Sequence, residues 1–188
     1  MTKHPFENLL LNDNKIVAEN YVLIQPTPHV APAAYLHSIY KGLTELEIAE
    51  MEKQIHQKLP KELFDFYKLY NGAQLFSGAL SIDGLRRNFS RNVDASRQPF
   101  SMETTNVDER IRNAPANAVF FGGYDWDGSL VYCCHGAEGV FRCDRESAEP
   151  LNRWTSLRDF FDQEIDRLSM LFSKDGKQID EDRPTVPN

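Results

Sequence analysis

A chain of 188 residues with 21 Lys and Arg against 28 Asp and Glu carries a formal charge of -7, and 41% of it is hydrophobic. At roughly 100–200 residues per domain this length fits one domain with a terminal extension, and the ordinary composition excludes wholesale disorder. No apolar run is long enough to span a bilayer, and three cysteines, two of them adjacent, make no paired disulfide framework, so a cytosolic protein is expected.

Residues 1–41 read as a packed N-terminal arm: Tyr21-Val22-Leu23-Ile24 is strand-like, but Pro26, Pro28 and Pro32 fix φ and interrupt regular structure. The first strong element begins at Thr44. Thr44-Glu45-Leu46-Glu47 matches a capping box, and Ile48, Met51 and Ile55 recur at helical spacing, giving an amphipathic helix that ends near Lys58. Leu59-Pro60 closes it, and Pro60 suits the start of a second helix with an aromatic stripe of Phe66, Tyr67 and Tyr70. That helix is expected to end on Asn71-Gly72 in left-handed geometry.

Beyond Gly72 the pattern changes to short strands. Leu75-Phe76 and Ala79 to Ile82 are apolar runs, and Asp83-Gly84 reads as a turn. Residues 85–117 form a polar, arginine-rich insertion with a short helix expected around 107–112. A meander follows: strands at 118–121, 130–133 and 140–143, joined by turns at Asp127-Gly128 and at 135–139, which are too short for parallel crossovers. Ser156 and Asp159 then cap a helix whose apolar face is Leu157, Phe160, Phe161, Ile165, Leu168 and Phe172. The charged tail, 174–188, holds Pro184 and Pro187 and is expected to be mobile. Helices, a mostly antiparallel sheet and a final helix make an α+β domain over 42–173.

These landmarks, in order, resemble the SUKH superfamily: the capped helix from Leu43, the Leu59-Pro60 corner, the aromatic stretch to Tyr70-Asn71-Gly72, the strand Phe120-Phe121-Gly122-Gly123-Tyr124 leading to Asp125-Trp126-Asp127-Gly128, and Trp154-Thr155-Ser156-Leu157 with Phe160-Phe161. That superfamily includes the yeast cell-wall synthesis regulator and many bacterial immunity proteins. The resemblance spans roughly residues 43–171 and leaves out the arm and the 85–117 insertion. It implies a non-enzymatic protein-binding role without a cofactor, either as an immunity protein that neutralises a basic toxin domain, such as a nuclease, or as a regulatory adaptor.

Charge is uneven in a way that bears on the partner. Residues 124–188 hold 8 basic and 14 acidic residues, nearly all of the acidic excess. Such a chain is poorly suited to coating nucleic acid and better suited to a basic protein. The expected contact surface is Asp125, Trp126, Asp127 and Glu138, with Asp83 and Asn71 nearby. Other chemistries are weaker. Cys133-Cys134-His135 with Cys143 hints at zinc or a Cys–His hydrolase, but adjacent strand residues point to opposite faces, and no nucleophile signature surrounds them. Asp125-Trp126-Asp127-Gly128 lacks the further oxygen ligands of a calcium loop. Arg86, Arg87, Arg91 and Arg97, with Phe89 among them, suggest nucleic-acid stacking, yet contacts with carboxylates fit the overall charge better.

Overall fold

The computed structural model describes residues 5–90, 92 and 96–188. Nine strands form one sheet in sequence order, each antiparallel to its neighbours. They are β1 (Lys15–Val17), β2 (Tyr21–Pro26), β3 (Tyr35–Lys41), β4 (Tyr70–Leu75), β5 (Leu80–Ile82), β6 (Ala118–Tyr124), β7 (Leu130–Cys134), β8 (Val140–Cys143) and β9 (Pro150–Trp154). Among the described residues four α-helices accompany them: α1 (Glu7–Leu10), α2 (Glu45–Gln54), α3 (Lys61–Tyr67) and α4 (Leu157–Ser169). The α+β class expected from the sequence is the one observed.

Local signals account for the helix ends. The Thr44 hydroxyl accepts from the Glu47 amide at 3.3 Å while the Glu47 carboxylate accepts from the Thr44 amide at 2.8 Å, a complete capping box for α2. Ser156 accepts from the Asp159 amide at 3.0 Å and starts α4. All four helices contribute to one face of the sheet. Ile48, Met51, Leu63, Phe66, Phe160 and Phe161 pack there on Ile39, Leu75, Ile82, Phe121 and Val131. Phe6, just before α1, packs edge-on against both Phe66 and Phe161, with ring centroids 5.8 and 5.2 Å away. Each fully buried side chain of this size stabilises the fold by about 1.5–3 kcal/mol.

The second face has its own cover. Ile111, Ala114 and Ala148, from the connections on either side of the meander, pack on Ala118, Phe120, Tyr132 and Cys143. The segment 85–117 is therefore a lid over the sheet's far face in its described residues rather than a free loop. Its short helix lies earlier than expected, as a π-helical turn Thr104–Asp108. Asn106 in that turn gives its amide to the Phe120 carbonyl at 2.7 Å and accepts from the Phe120 amide at 3.0 Å. Strand β5 is too short to reach Phe120, so a side chain satisfies the buried backbone instead.

Three other expectations change. The described part of the N-terminal arm is helix α1 and strands β1 to β3, because β3 pairs with β4 and so joins the main sheet. Asn71-Gly72 does not end a helix: α3 stops at Tyr67, and both residues lie in β4. Gly72 does have φ +85°, and a Cβ there would lie 2.3 Å from the Ile82 carbonyl oxygen, so a close strand approach requires the glycine. The tail, expected to be mobile, is exposed over most of residues 174–184, but its end is held against the domain. Arg167 donates to the carbonyls of Thr185 and Val186, and Arg142 donates to that of Pro187.

Candidate functional site

Antiparallel order sends the β6–β7 turn, residues 125–129, and the β8–β9 loop, residues 144–149, to the same end of the sheet, since Leu130 pairs with Cys143. A Cβ at Gly128 would lie 3.6 Å from Arg145 Cδ, so the two loops touch. This end presents exposed Asp125, Asp144, Glu146 and Glu149 together with Trp126, which is 45% exposed. Arg145 is the one cation among them in these two loops. Sequence reasoning missed Asp144, Glu146 and Glu149. The signal was available, because the strand register of a meander places alternate loops side by side.

The six residues expected at the contact surface do not form one patch. Asp125 and Trp126 are exposed at the acidic end. Asp127 is there too, but its carboxylate is taken: Arg142 Nη2 donates at 2.5 Å and the Ser129 amide at 2.9 Å. Partial burial works against its charge, yet the hydrogen bonds from Ser129 and Arg142 outweigh it and hold the carboxyl below its usual range. Glu138 is exposed in the β7–β8 turn at the opposite end, roughly 14 Å away along β7 at the usual strand rise. The expected grouping of Glu138 with Asp125 and Asp127 is corrected, because successive turns of a meander alternate ends.

Asn71 and Asp83 are also reassigned. Asn71 accepts from the Leu85 amide at 2.7 Å and donates to the Leu85 carbonyl at 2.9 Å, closing the chain onto β4. Its side chain is a clamp rather than a partner contact. Asp83 is not a surface turn residue: it is 5% exposed, its amide donates to the Phe121 carbonyl, and its carbonyl accepts from the Tyr67 hydroxyl at 2.7 Å. Burial pushes its carboxyl up to about 7, against a smaller opposing effect of a hydrogen bond with Thr105. Asp83 lines a cavity of 480 Å³ on the sheet's far face, next to the acidic turn, with Gly123, Phe89, Phe100 and Asp125 also at its wall.

The sulfur and imidazole groups do not converge. Cys133 belongs to the helix-covered core and Cys134 packs against the other cluster, on opposite faces of β7. Burial raises the Cys133 and Cys143 thiols to about 12 and raises Cys134 as well, so none is poised as a thiolate. The His135 ring nitrogen Nε2 lies 2.5 Å from the Lys58 carbonyl and is committed as its donor. Among the described residues no three His, Cys, Asp or Glu side chains are placed to hold a metal ion.

Arg86, Arg87 and Arg97 are engaged internally. Arg87 bridges Glu47 and Glu50 at 2.9 and 2.6 Å, Arg86 donates to the Pro99 carbonyl, and Arg97 donates to that of Ala33 and lies over the Tyr35 ring. Arg91, part of the expected cluster, lies outside the described residues.

An antiparallel meander with helices on one face and an exposed acidic loop end makes an α+β domain. No helix among the described residues is long and apolar enough to cross a membrane. The family model described as SMI1 / KNR4 family (SUKH-1) matches residues 42–163, and the chain belongs to that family. No curated relative matches it. The family segment runs from just before α2 into α4, so β1 to β3 and the tail lie outside it.

Proposed function

We propose that this chain is a non-enzymatic immunity protein that binds and occludes a basic toxin domain through the acidic end of its sheet. The observation that carries the reading is that exposed Asp125, Asp144, Glu146 and Glu149 share one end of the sheet with exposed Trp126. A desolvated aromatic anchor inside a ring of charge is the usual anatomy of a binding hot spot, and the acids would speed encounter with a cationic surface. Buried, protonated thiols and a histidine tied to a backbone carbonyl support a role without catalysis.

The test begins with the protein that co-purifies with the chain from its native host. A basic partner whose association slows on charge reversal at Asp125 and Glu146 supports the proposal. Several acidic or neutral cellular partners, bound without regard to that end, would favour a regulatory adaptor. Asp127 is a poor choice for charge reversal, because changing it also strands the buried Arg142.

A further inference from the structure

A cavity of 480 Å³ lies beside the acidic turn. Its floor is open because Ser81 and Gly123, paired across β5 and β6, put almost no side chain on that face. Asp83 lies at its base and Asp125 at its mouth, while Phe89 and Phe100, 66% and 53% exposed, form an apolar wall on the lid side. Arg86 shows what that wall accepts: its guanidinium sits 5.7 Å over the Phe89 ring while Nη1 donates to the Pro99 carbonyl at 2.9 Å.

We infer that this cavity receives an arginine side chain of the basic partner, with Asp83 as the buried counter-charge, Asp125 as the outer one and the phenyl wall against the arginine's stem. The inference rests on the proposed basic partner and supplies its anchoring contact. Asp83 and Asp125 both line this space, and Asp125 belongs to both the cavity and the docking surface. Guanidinium stays charged throughout the accessible pH range and pairs bidentately with a carboxylate.

A proton linkage follows from where Asp83 sits. The groups facing it are Thr105 of the π-helical turn, Tyr67 of α3, Tyr124 of β6, Asp125 of the β6–β7 turn and Arg86 of the lid. Both tyrosines are pushed well above their usual values by burial and stay neutral. With Asp83 titrating at about 7, roughly one-tenth of the cavity is ionised at pH 6 and nine-tenths at pH 8. Arginine, which requires the ionised form, binds about tenfold more tightly at pH 8.

The probe is Nα-acetyl-L-arginine methylamide, titrated into the full chain and followed by amide chemical shifts, with its neutral citrulline counterpart as control. The expected result is saturable shifts at Ser81, Asp83 and Gly123 for arginine alone, with affinity rising about tenfold from pH 6 to 8. Asp83→Asn, checked for folding, removes the pH dependence, and Phe89→Ala at the exposed wall weakens binding several-fold without touching the core. Equal binding of arginine and citrulline, or a flat pH profile in the unsubstituted protein, overturns the inference. If the probe does not bind while a basic protein still docks on Asp125 and Trp126, the cavity assignment fails and the proposed function stands. If the probe binds as expected while the partner proves acidic, the immunity reading fails and the cavity stands.

Discussion

Replacing Asp83 by Asn should change how stability depends on pH, and the size of the change follows from two buried groups. Asp83 has its carboxyl raised by burial from 3.8 to about 7. The folded state therefore keeps a proton that the unfolded state has lost, and stability falls as pH rises between those values. The slope is about 1.4 kcal/mol per pH unit, some 4 kcal/mol over the window. His37, in β3, acts the other way. Burial lowers it from 6.5 to about 4, so the folded state lacks a proton that the unfolded state holds, and stability rises with pH between those values. Its Nδ1 accepts from the Phe76 amide at 3.4 Å and its ring packs edge-on against Phe76, which suits the neutral form.

The two slopes oppose one another from about pH 4 to 6.5, so the unsubstituted chain should show a nearly flat profile there from these groups. From about pH 6.5 it should then lose stability until Asp83 ionises near pH 7, where the loss ends. Asp83→Asn removes one slope and exposes the other. Urea unfolding at pH 4.5, 5.5, 6.5 and 8 should show the variant gaining about 1.4 kcal/mol per unit relative to the unsubstituted chain up to pH 6.5, levelling off above pH 7. For a domain stable by about 5–15 kcal/mol this is a large effect. Profiles that run parallel from pH 4.5 to 8 would refute the buried placement of the Asp83 carboxyl.

Two further outcomes test the site's surroundings. Cys133 and Cys143, held at about 12 by burial, should resist a disulfide reagent at pH 8 in the folded protein and react at once in denaturant; rapid native labelling of both would contradict their placement. Asn71→Ala should cost about 2 kcal/mol, since it removes two hydrogen bonds to Leu85, and amide exchange should rise in 85–90; a loss under about 0.5 kcal/mol would show that the clamp is dispensable.

What was legible in the sequence was whatever depends on near neighbours. Thr44 with Glu47, Ser156 with Asp159, Pro60 at a helix start and Gly128 in a turn each declare themselves within four residues, and the structure has all of them. What was hidden depends on distant partners. Tyr70–Leu75 carries an aromatic and an Asn-Gly pair that read as a helix end, and only pairing with β3 and β5 makes it a strand. Asp83-Gly84 reads as a surface turn because the lid that buries Asp83 arrives some twenty residues later; Thr105 beside its carboxyl belongs to the π-helical turn. The candidate site divides the same way. Asp125 and Trp126 were visible as a turn, whereas Asp144, Glu146 and Glu149 joined them, and Glu138 left them, only once the strand register was known.

The central claim is that a basic protein docks on the acidic end of the sheet. Its most direct test is the association rate of the co-purifying partner with the chain and with an Asp125→Lys, Glu146→Lys double variant, at low and at moderate salt. Both side chains are exposed and hold no internal ion pair among the described residues, so the fold should persist. The association rate should be about tenfold slower in the variant at low salt, with the difference shrinking as salt is added. An unchanged rate at both salt concentrations would contradict it.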